Sequence, residues 1–288
     1  METVSRPRTL ELDRSVRRTE LSTERGTFAT WVCEPHDTSM PRGNVLLIPG
    51  FTGSKEDFAP LLPLLAAAGW RTATYDQRGQ FETPGSLGDD FSLEGFAADA
   101  ASVAGQLFGP TEPAHLVGHS FGGLVAGAAA IGHPERWASL SLMCSGPGAL
   151  PGERGRAALR GAELLEREGL EAARLAKEHD NQQRGIEPSP PEVEAFLDRR
   201  FMANAPASLA AMARHIGRAP DRTDELADLA LPVAVLRGEH DDAFPHAAQD
   251  ALASALGTSV VVIPDAAHSP AVEQPERTRD ALVRIWLG

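Results

Sequence analysis

The stretch Leu116 to Gly123, L-V-G-H-S-F-G-G, constrains the chain more than any other. An apolar, strand-like run over 114–117 stops at Gly118, and a run rich in Ala and Gly begins after Gly122, so Ser120 stands between a strand and a helix. Glycine two residues before and two after a serine in that context reads as a sharp strand-to-helix turn. The neighbouring backbone comes too close for a Cβ, and the strained turn lifts the hydroxyl clear of the sheet. The helix that follows aims its free N–H groups and the positive end of its dipole back at the serine, where an anion can be held. The pentapeptide alone is a weak signal, since a shuffled chain of this composition yields about 0.15 matches. The strand and helix on either side carry the reading.

Around that turn the hydrophobic pattern alternates between strands and helices. Strands are expected over 27–33, 44–48, 71–75, 114–117 and 138–144. The run 44–48 is continuously apolar, as in a strand buried on both faces of a parallel sheet. Ser54 and Asp57 have capping-box spacing and open a helix expected to reach Gly69, whose glycine suits a C-terminal left-handed position; a second helix is expected over 93–108. After Cys144 only helix-like stretches follow, over 154–168, 170–182, 191–202 and 206–218, with a Pro-rich joint at 187–191. Strands at 233–237 and 259–263 then resume, with helices over 246–256 and 275–286. The fold class is α/β, a doubly wound and mostly parallel sheet. Its core is expected over 19–146 and 221–288, interrupted by a helical lid over 147–220 that covers the strand ends where ligands bind. Residues 1–18 are expected to be a loose polar lead-in.

A formal charge of −13 argues against nucleic acid or an anionic membrane surface as partner. The two cysteines, Cys33 and Cys144, make no disulfide framework and have no metal or redox spacing; each is expected as an apolar filler at a strand end. The first residues lack an apolar leader and no run is long enough to span a bilayer, so a cytoplasmic protein is expected. Composition leaves a homo-oligomer open.

A serine hydroxyl needs a base to take its proton, and the base needs an acid to orient it. Loops that leave downstream strands offer both. Residues 238–245, G-E-H-D-D-A-F-P, follow one strand with two adjacent carboxylates, Asp241 and Asp242, and P-D-A-A-H-S-P at 264–270 follows the last. The chain order is serine, acid, histidine.

These three motifs together resemble the α/β-hydrolase superfamily, in its lidded, cofactor-free, serine-nucleophile branch; the likeness covers 28–286 apart from the lid. It implies an eight-stranded sheet, Ser120 as nucleophile, Asp241 as acid by its spacing from Gly238, and His268 as base, with neither metal nor cofactor. Pro49-Gly50-Phe51-Thr52-Gly53 resembles the family's oxyanion loop, which implies the backbone N–H groups of Phe51 and Phe121 as oxyanion donors. The family usually has His where Pro49 stands, a side chain that often braces this loop. Asp76-Gln77-Arg78-Gly79 resembles a structural turn, with Asp76 and Arg78 as scaffolding.

A serine at the elbow disfavours the epoxide hydrolase and haloalkane dehalogenase branches, which use aspartate there. The resemblance implies hydrolysis of an ester, lactone or thioester through an acyl-enzyme. C–C bond hydrolysis, aminopeptidase action, haloperoxidase or perhydrolase chemistry, and ligand binding without turnover share the same features. Met143, Phe196, Phe201, Met212, His215 and Phe244 are the pocket candidates, suited to a small-molecule substrate with an apolar acyl part. His36, His119, His133, His179 and His246 are expected in solvent.

Overall fold

The structure, a computed structural model, describes residues 6–7, 9–35, 37 and 41–288; the expectations for His36 and for residues 1–5 and 8 lie outside it. The chain opens with a hairpin, β1 (Val16–Thr23) and β2 (Gly26–Cys33). It continues through β3 (Asn44–Ile48), α1 (Leu61–Ala67), β4 (Arg71–Tyr75), α2 (Leu93–Phe108), β5 (Ala114–His119), α3 (Phe121–Gly132) and β6 (Trp137–Met143). Three helices then follow without a strand, α4 (Gly152–Gln183), α5 (Pro191–Met202) and α6 (Pro206–Arg218). The short α7 (Thr223–Ala227) leads back to β7 (Val233–Gly238), α8 (His246–Ala255), β8 (Val261–Ile263), α9 (Pro270–Glu273) and α10 (Pro275–Leu287).

The strands form one eight-stranded sheet in the order β1-β2-β4-β3-β5-β6-β7-β8. β1 and β2 pair antiparallel, β2 and β4 pair antiparallel, and every other neighbour is parallel. Side chains of a strand alternate between faces, and the core divides accordingly. Leu46 and Ile48 of β3 pack with α2 and α3, whereas Val45 and Leu47 pack with α1 and α10. All four are fully buried, which explains the unbroken apolar run that the sequence shows there. Strand order turns around between β3 and β5, the point where an open α/β sheet leaves a crevice at its carboxyl edge.

Four local features depart from the sequence pattern. β1 begins at Val16, so the last part of the expected loose lead-in belongs to the sheet. Its sequence, VRRTELST, buries only Val16, because an edge strand with a solvated face needs no apolar alternation. The helix expected over 54–69 divides into a 3-10 turn, Lys55–Phe58, and α1. The capping box is present, but Pro60 has no N–H to extend the first turn into the second. The two helices expected over 154–182 are joined end to end as α4, with a kink at Gly169, whose φ of 83° and ψ of −174° are not helical. The short helices α7 and α9 have no periodic signature in the sequence. No helix of the described residues is long and apolar enough to cross a membrane.

Candidate active site

The turn from β5 to α3 holds Ser120 at φ 54° and ψ −120°, a left-handed conformation that a residue with a Cβ rarely adopts. Its neighbours must be glycine for steric reasons. A Cβ on Gly118 would lie 2.2 Å from the carbonyl oxygen of Gly122, and one on Gly122 would lie 2.3 Å from that of Ile48 in β3. The strain is held by surrounding hydrogen bonds: the Ser120 N–H donates to Met143 O at 2.9 Å, and its carbonyl accepts from Ser145 Oγ at 2.7 Å.

Two loops at the same carboxyl edge bring the partners. His268, after β8, places Nε2 3.0 Å from Ser120 Oγ and Nδ1 2.8 Å from Asp241 Oδ1, after β7. Both loop residues are buried. The loops interlock: a Cβ on Gly238 would lie 1.9 Å from Ala267 O, and the His240 N–H donates to Ala266 O at 2.8 Å. Burial alone would raise the Asp241 pKa, but the hydrogen bond and charge of His268, with donation from Ala243 N and Gln249 Nε2, hold it below the ordinary carboxylate value. Asp242 points elsewhere, pairing with Arg154 Nη2 at 3.1 Å. Adjacent loop side chains diverge, and Asp241 is the one that meets His268.

The loop after β3 completes the edge. Thr52 has a φ of 56°, and the Gly53 N–H donates to Gly50 O at 3.1 Å, a tight turn around Phe51. Among the described residues no acceptor takes the N–H of Phe51 or of Phe121. The brace missing at Pro49 is supplied by two buried glutamines of the turn after β4. Gln77 Nε2 donates to Pro49 O at 2.9 Å and Gln80 Nε2 to Gly50 O at 2.8 Å. Asp76 and Arg78 are scaffolding as expected: Asp76 accepts from the backbone and ammonium of Lys55, each at 2.8 Å, and Arg78 binds Asp99. A second buried pair ties α5 to this region, with Arg200 Nη1 2.6 Å from Asp57 Oδ1, in the 3-10 turn just after the Phe51 loop.

A cavity of about 600 Å³ opens over Ser120 and His268. Phe51 and Thr52 flank its floor, and Leu164, Leu165, Ala173 and Phe201 line its apolar wall; Arg154, Lys177 and Asp180 stand at its polar rim. Of the six pocket candidates only Phe201 lines it. Met143 is fully buried beneath the sheet with α1 and α10. Phe196 stacks edge-on against Phe81, at 5.8 Å, under the Arg200 guanidinium. Met212 packs below Gln80, its Sδ 3.8 Å from Nε2. His215 is held by a 2.8 Å contact to Phe91 O and stacks on Phe121. The Phe244 ring fills the place of the side chain that Gly146 lacks. Each carried the right residue type, but helix phase and loop direction turn it away, and one sequence does not fix those.

Near this cluster Gln249, which touches Asp241 from one turn into α8, went unnoticed in the sequence, and His119 departs from the expectation that placed it in solvent. His119 is buried, not solvated, and its Nε2 lies 2.6 Å from the backbone carbonyl of His268. Nothing in the motif marks it, because the residue before the serine faces neither solvent nor the sheet in a way that periodicity reveals. His119, Cys144 and His268 bring potential ligand atoms within 4.8 Å of one another. Filling such a metal site would cost His268 its bonds to Ser120 or Asp241.

The alpha/beta hydrolase family model matches residues 45–281. The chain is similar to a thermophilic esterase of Thermogutta terrifontis, 30% identical, with 94% of this chain and 98% of that one covered and a TM-score of 0.73. It is 28% identical to the pimeloyl-[acyl-carrier protein] methyl ester esterase of Aeromonas hydrophila, over 75% of this chain and 85% of the relative. An enol-lactonase of Burkholderia xenovorans LB400 shares the fold at 21% identity and a TM-score of 0.76, with 94% of this chain and all of that chain (100%) covered. Since that family model spans most of its length, the chain belongs to the alpha/beta hydrolase family.

Proposed function

We propose that the protein is a serine hydrolase that cleaves a carboxylic ester, lactone or thioester through an acyl-enzyme. The observation that carries this reading is the bridge of His268 between Ser120 Oγ and Asp241, at 3.0 and 2.8 Å, on the floor of a cavity with an apolar wall. His268 takes the Ser120 proton as Oγ attacks the carbonyl carbon, and the Asp241 carboxylate stabilises the imidazolium. The N–H groups of Phe51 and Phe121 receive the oxyanion; α3 begins at Phe121, so the positive end of its dipole adds to the same stabilisation. His268 then gives the proton to the leaving group, and water attacks the acyl-enzyme by the reverse path. The substrate is a small molecule with an apolar acyl part, seated against Leu164, Leu165 and Phe201, and the helices α4 to α6 act as its lid. The esterase names of the two relatives agree with this reaction class.

A fluorophosphonate probe is expected to label the parent protein at Ser120, with turnover of short p-nitrophenyl esters. Ser120→Ala is expected to lose both and to keep its melting temperature, because the hydroxyl sits at a cavity floor and not in the core. Turnover retained by Ser120→Ala would overturn the nucleophile assignment.

A further inference from the structure

His119 ends β5, one residue before the nucleophile, and the mechanism above gives it no part. Its Nε2 meets the His268 carbonyl oxygen at 2.6 Å. A carbonyl only accepts, so Nε2 carries the hydrogen and donates it. The other side of the ring faces the Phe51 loop: a Cβ on Gly50 would lie 3.3 Å from His119 Nδ1 and 3.2 Å from Ser120 Cβ. One ring therefore fills the space between the loop that carries Phe51 and the loop that carries His268, and its backbone is bonded directly to Ser120. The His119 and His268 rings stand 5.0 Å apart.

The His268 loop is tied at Ala266, whose carbonyl accepts from the His240 N–H, and at Asp265, whose N–H donates to Glu239; the bond from His119 is the one made to the carbonyl of His268 itself. The N–H groups of Ala267 and Ser269 donate to the Glu273 carboxylate, which holds the chain on both sides of His268, and His119 holds the carbonyl in between. Burial, followed by the neighbouring His268, pushes the His119 pKa down to about 3. The ring thus stays neutral beside an imidazole that gains a proton in each turnover, and adds no repulsion.

We infer that His119 is a positioning residue for the reaction proposed above: its donated hydrogen bond fixes the backbone of His268, and so the reach of Nε2 to Ser120. The inference rests on that reading of Ser120 and His268. It separates two roles that a buried histidine can play, since filling space needs only volume whereas positioning needs the donor.

Two variants of equal length make the test. His119→Gln carries an amide donor to the place of the imidazole Nε2, and His119→Met fills the same length without one. His119→Met is expected to lower kcat about 10- to 100-fold, the scale of small misplacements of a catalytic group, with KM within about threefold. Its rate of fluorophosphonate labelling falls in parallel, while His119→Gln stays within about threefold of the parent in both measurements. Equal losses in the two variants, or no loss in His119→Met, would overturn the inference. A readout free of turnover is the downfield proton resonance of the His268 Nδ1–H bonded to Asp241. It is expected to be kept in His119→Gln and broadened or shifted in His119→Met, and to decide in the same way with His119→Leu should the methionine variant fail to fold. An unchanged resonance in the variant without a donor would refute the positioning role. Failure of the parent to label at Ser120 would sink the hydrolase reading instead, and the resonance comparison would still decide whether His119 holds His268.

Discussion

Replacing Asp241 with Asn removes a charge and little else. Asp241 Oδ1 accepts from His268 Nδ1 at 2.8 Å and from Ala243 N at 3.0 Å, and Oδ2 accepts from Gln249 Nε2 at 3.2 Å. An asparagine that keeps its oxygen toward the two donors turns its NH₂ toward that of Gln249. A flip of Gln249, whose Oε1 has no partner among the described residues, converts this clash into a hydrogen bond. The His268 tautomer therefore survives, and the loss is the carboxylate charge facing the imidazolium. Two unit charges about 4 Å apart interact by about 4 kcal/mol at an effective dielectric constant of about 20. At about 1.4 kcal/mol per decade, kcat is expected to fall about a thousandfold. That is milder than the ~10⁴ loss where the amide imposes the wrong tautomer. Adding Gln249→Met removes that acceptor, leaves the Ala243 N–H as the remaining donor that favours the oxygen-inward amide, and is expected to deepen the loss toward ~10⁴ as the wrong orientation gains population. Asp242→Asn, which disturbs the pair with Arg154 at the cavity rim, is expected to stay within about threefold. Steady-state kinetics on a short p-nitrophenyl ester, with circular dichroism as a fold control, measure all three. A loss below tenfold in Asp241→Asn, or a larger one in Asp242→Asn, would refute the reasoning.

Three further outcomes are expected. Phe201→Ala, which enlarges the cavity wall, is expected to shift preference toward longer acyl chains, whereas Phe196→Ala lowers stability and leaves the chain-length profile unchanged; rates on C2 to C12 esters tell them apart. Arg200→Met leaves the buried Asp57 carboxylate without its cation and is expected to cost about 3–5 kcal/mol in urea unfolding, with most of it recovered when Asp57→Asn is added, which removes the charge and keeps an acceptor for the Ser54 N–H. Stability is expected to fall on acidification. His119 binds a proton near pH 6.5 when unfolded but near 3 when folded, so the unfolding free energy drops by about 1.4 kcal/mol per pH unit between those values. The lowered Asp241 adds a loss of the same sign below about pH 4. His115, whose pKa burial lowers to about 4, adds to this slope and Asp76, whose pKa burial raises to about 7, opposes it, so urea midpoints from pH 7 to 4 are compared between the parent and His119→Gln; equal slopes in the two would contradict the burial of His119.

The parts of the fold legible in the sequence are those where steric demand leaves few choices. Gly118 and Gly122 announce the elbow because the close approach to Ile48 and to the helix admits no Cβ, and Gly238 marks the loop that presses against Ala267. The buried strands read clearly because both of their faces are covered. β1 did not, because hydrogen bonding to β2 along one edge, with only Val16 buried, requires no apolar pattern. In the site, Ser120, Asp241 and His268 lie on loops whose spacing from a strand end is short, so sequence distance constrains their place. The cavity wall is built by helices whose phase depends on tertiary packing. Met212 and Phe196 were therefore as good candidates as Phe201 until α5 and α6 were seated. The glutamine brace at Pro49 shows the remaining limit: Gln77 and Gln80 replace a missing side chain from another part of the chain, by a contact across 28 and 30 residues.

The kink at Gly169 has a mechanical meaning. The part of α4 beyond it is a rod about 20 Å long at 1.5 Å per residue, joined to the rest through a single non-helical glycine. The Arg200–Asp57 clasp of α5 stands outside this rod, which meets α5 through Lys177 over the Phe201 ring. A swing of about 10° carries the far end, with Asp180 and Arg184, about 3.5 Å, more than the width of a water molecule. The direction of the cavity wall beyond the kink is thus set by the backbone of one glycine, and any turn of that rod is resisted by the packing of Leu170 and Ala173 on the Phe201 cluster and of Lys177 over the Phe201 ring.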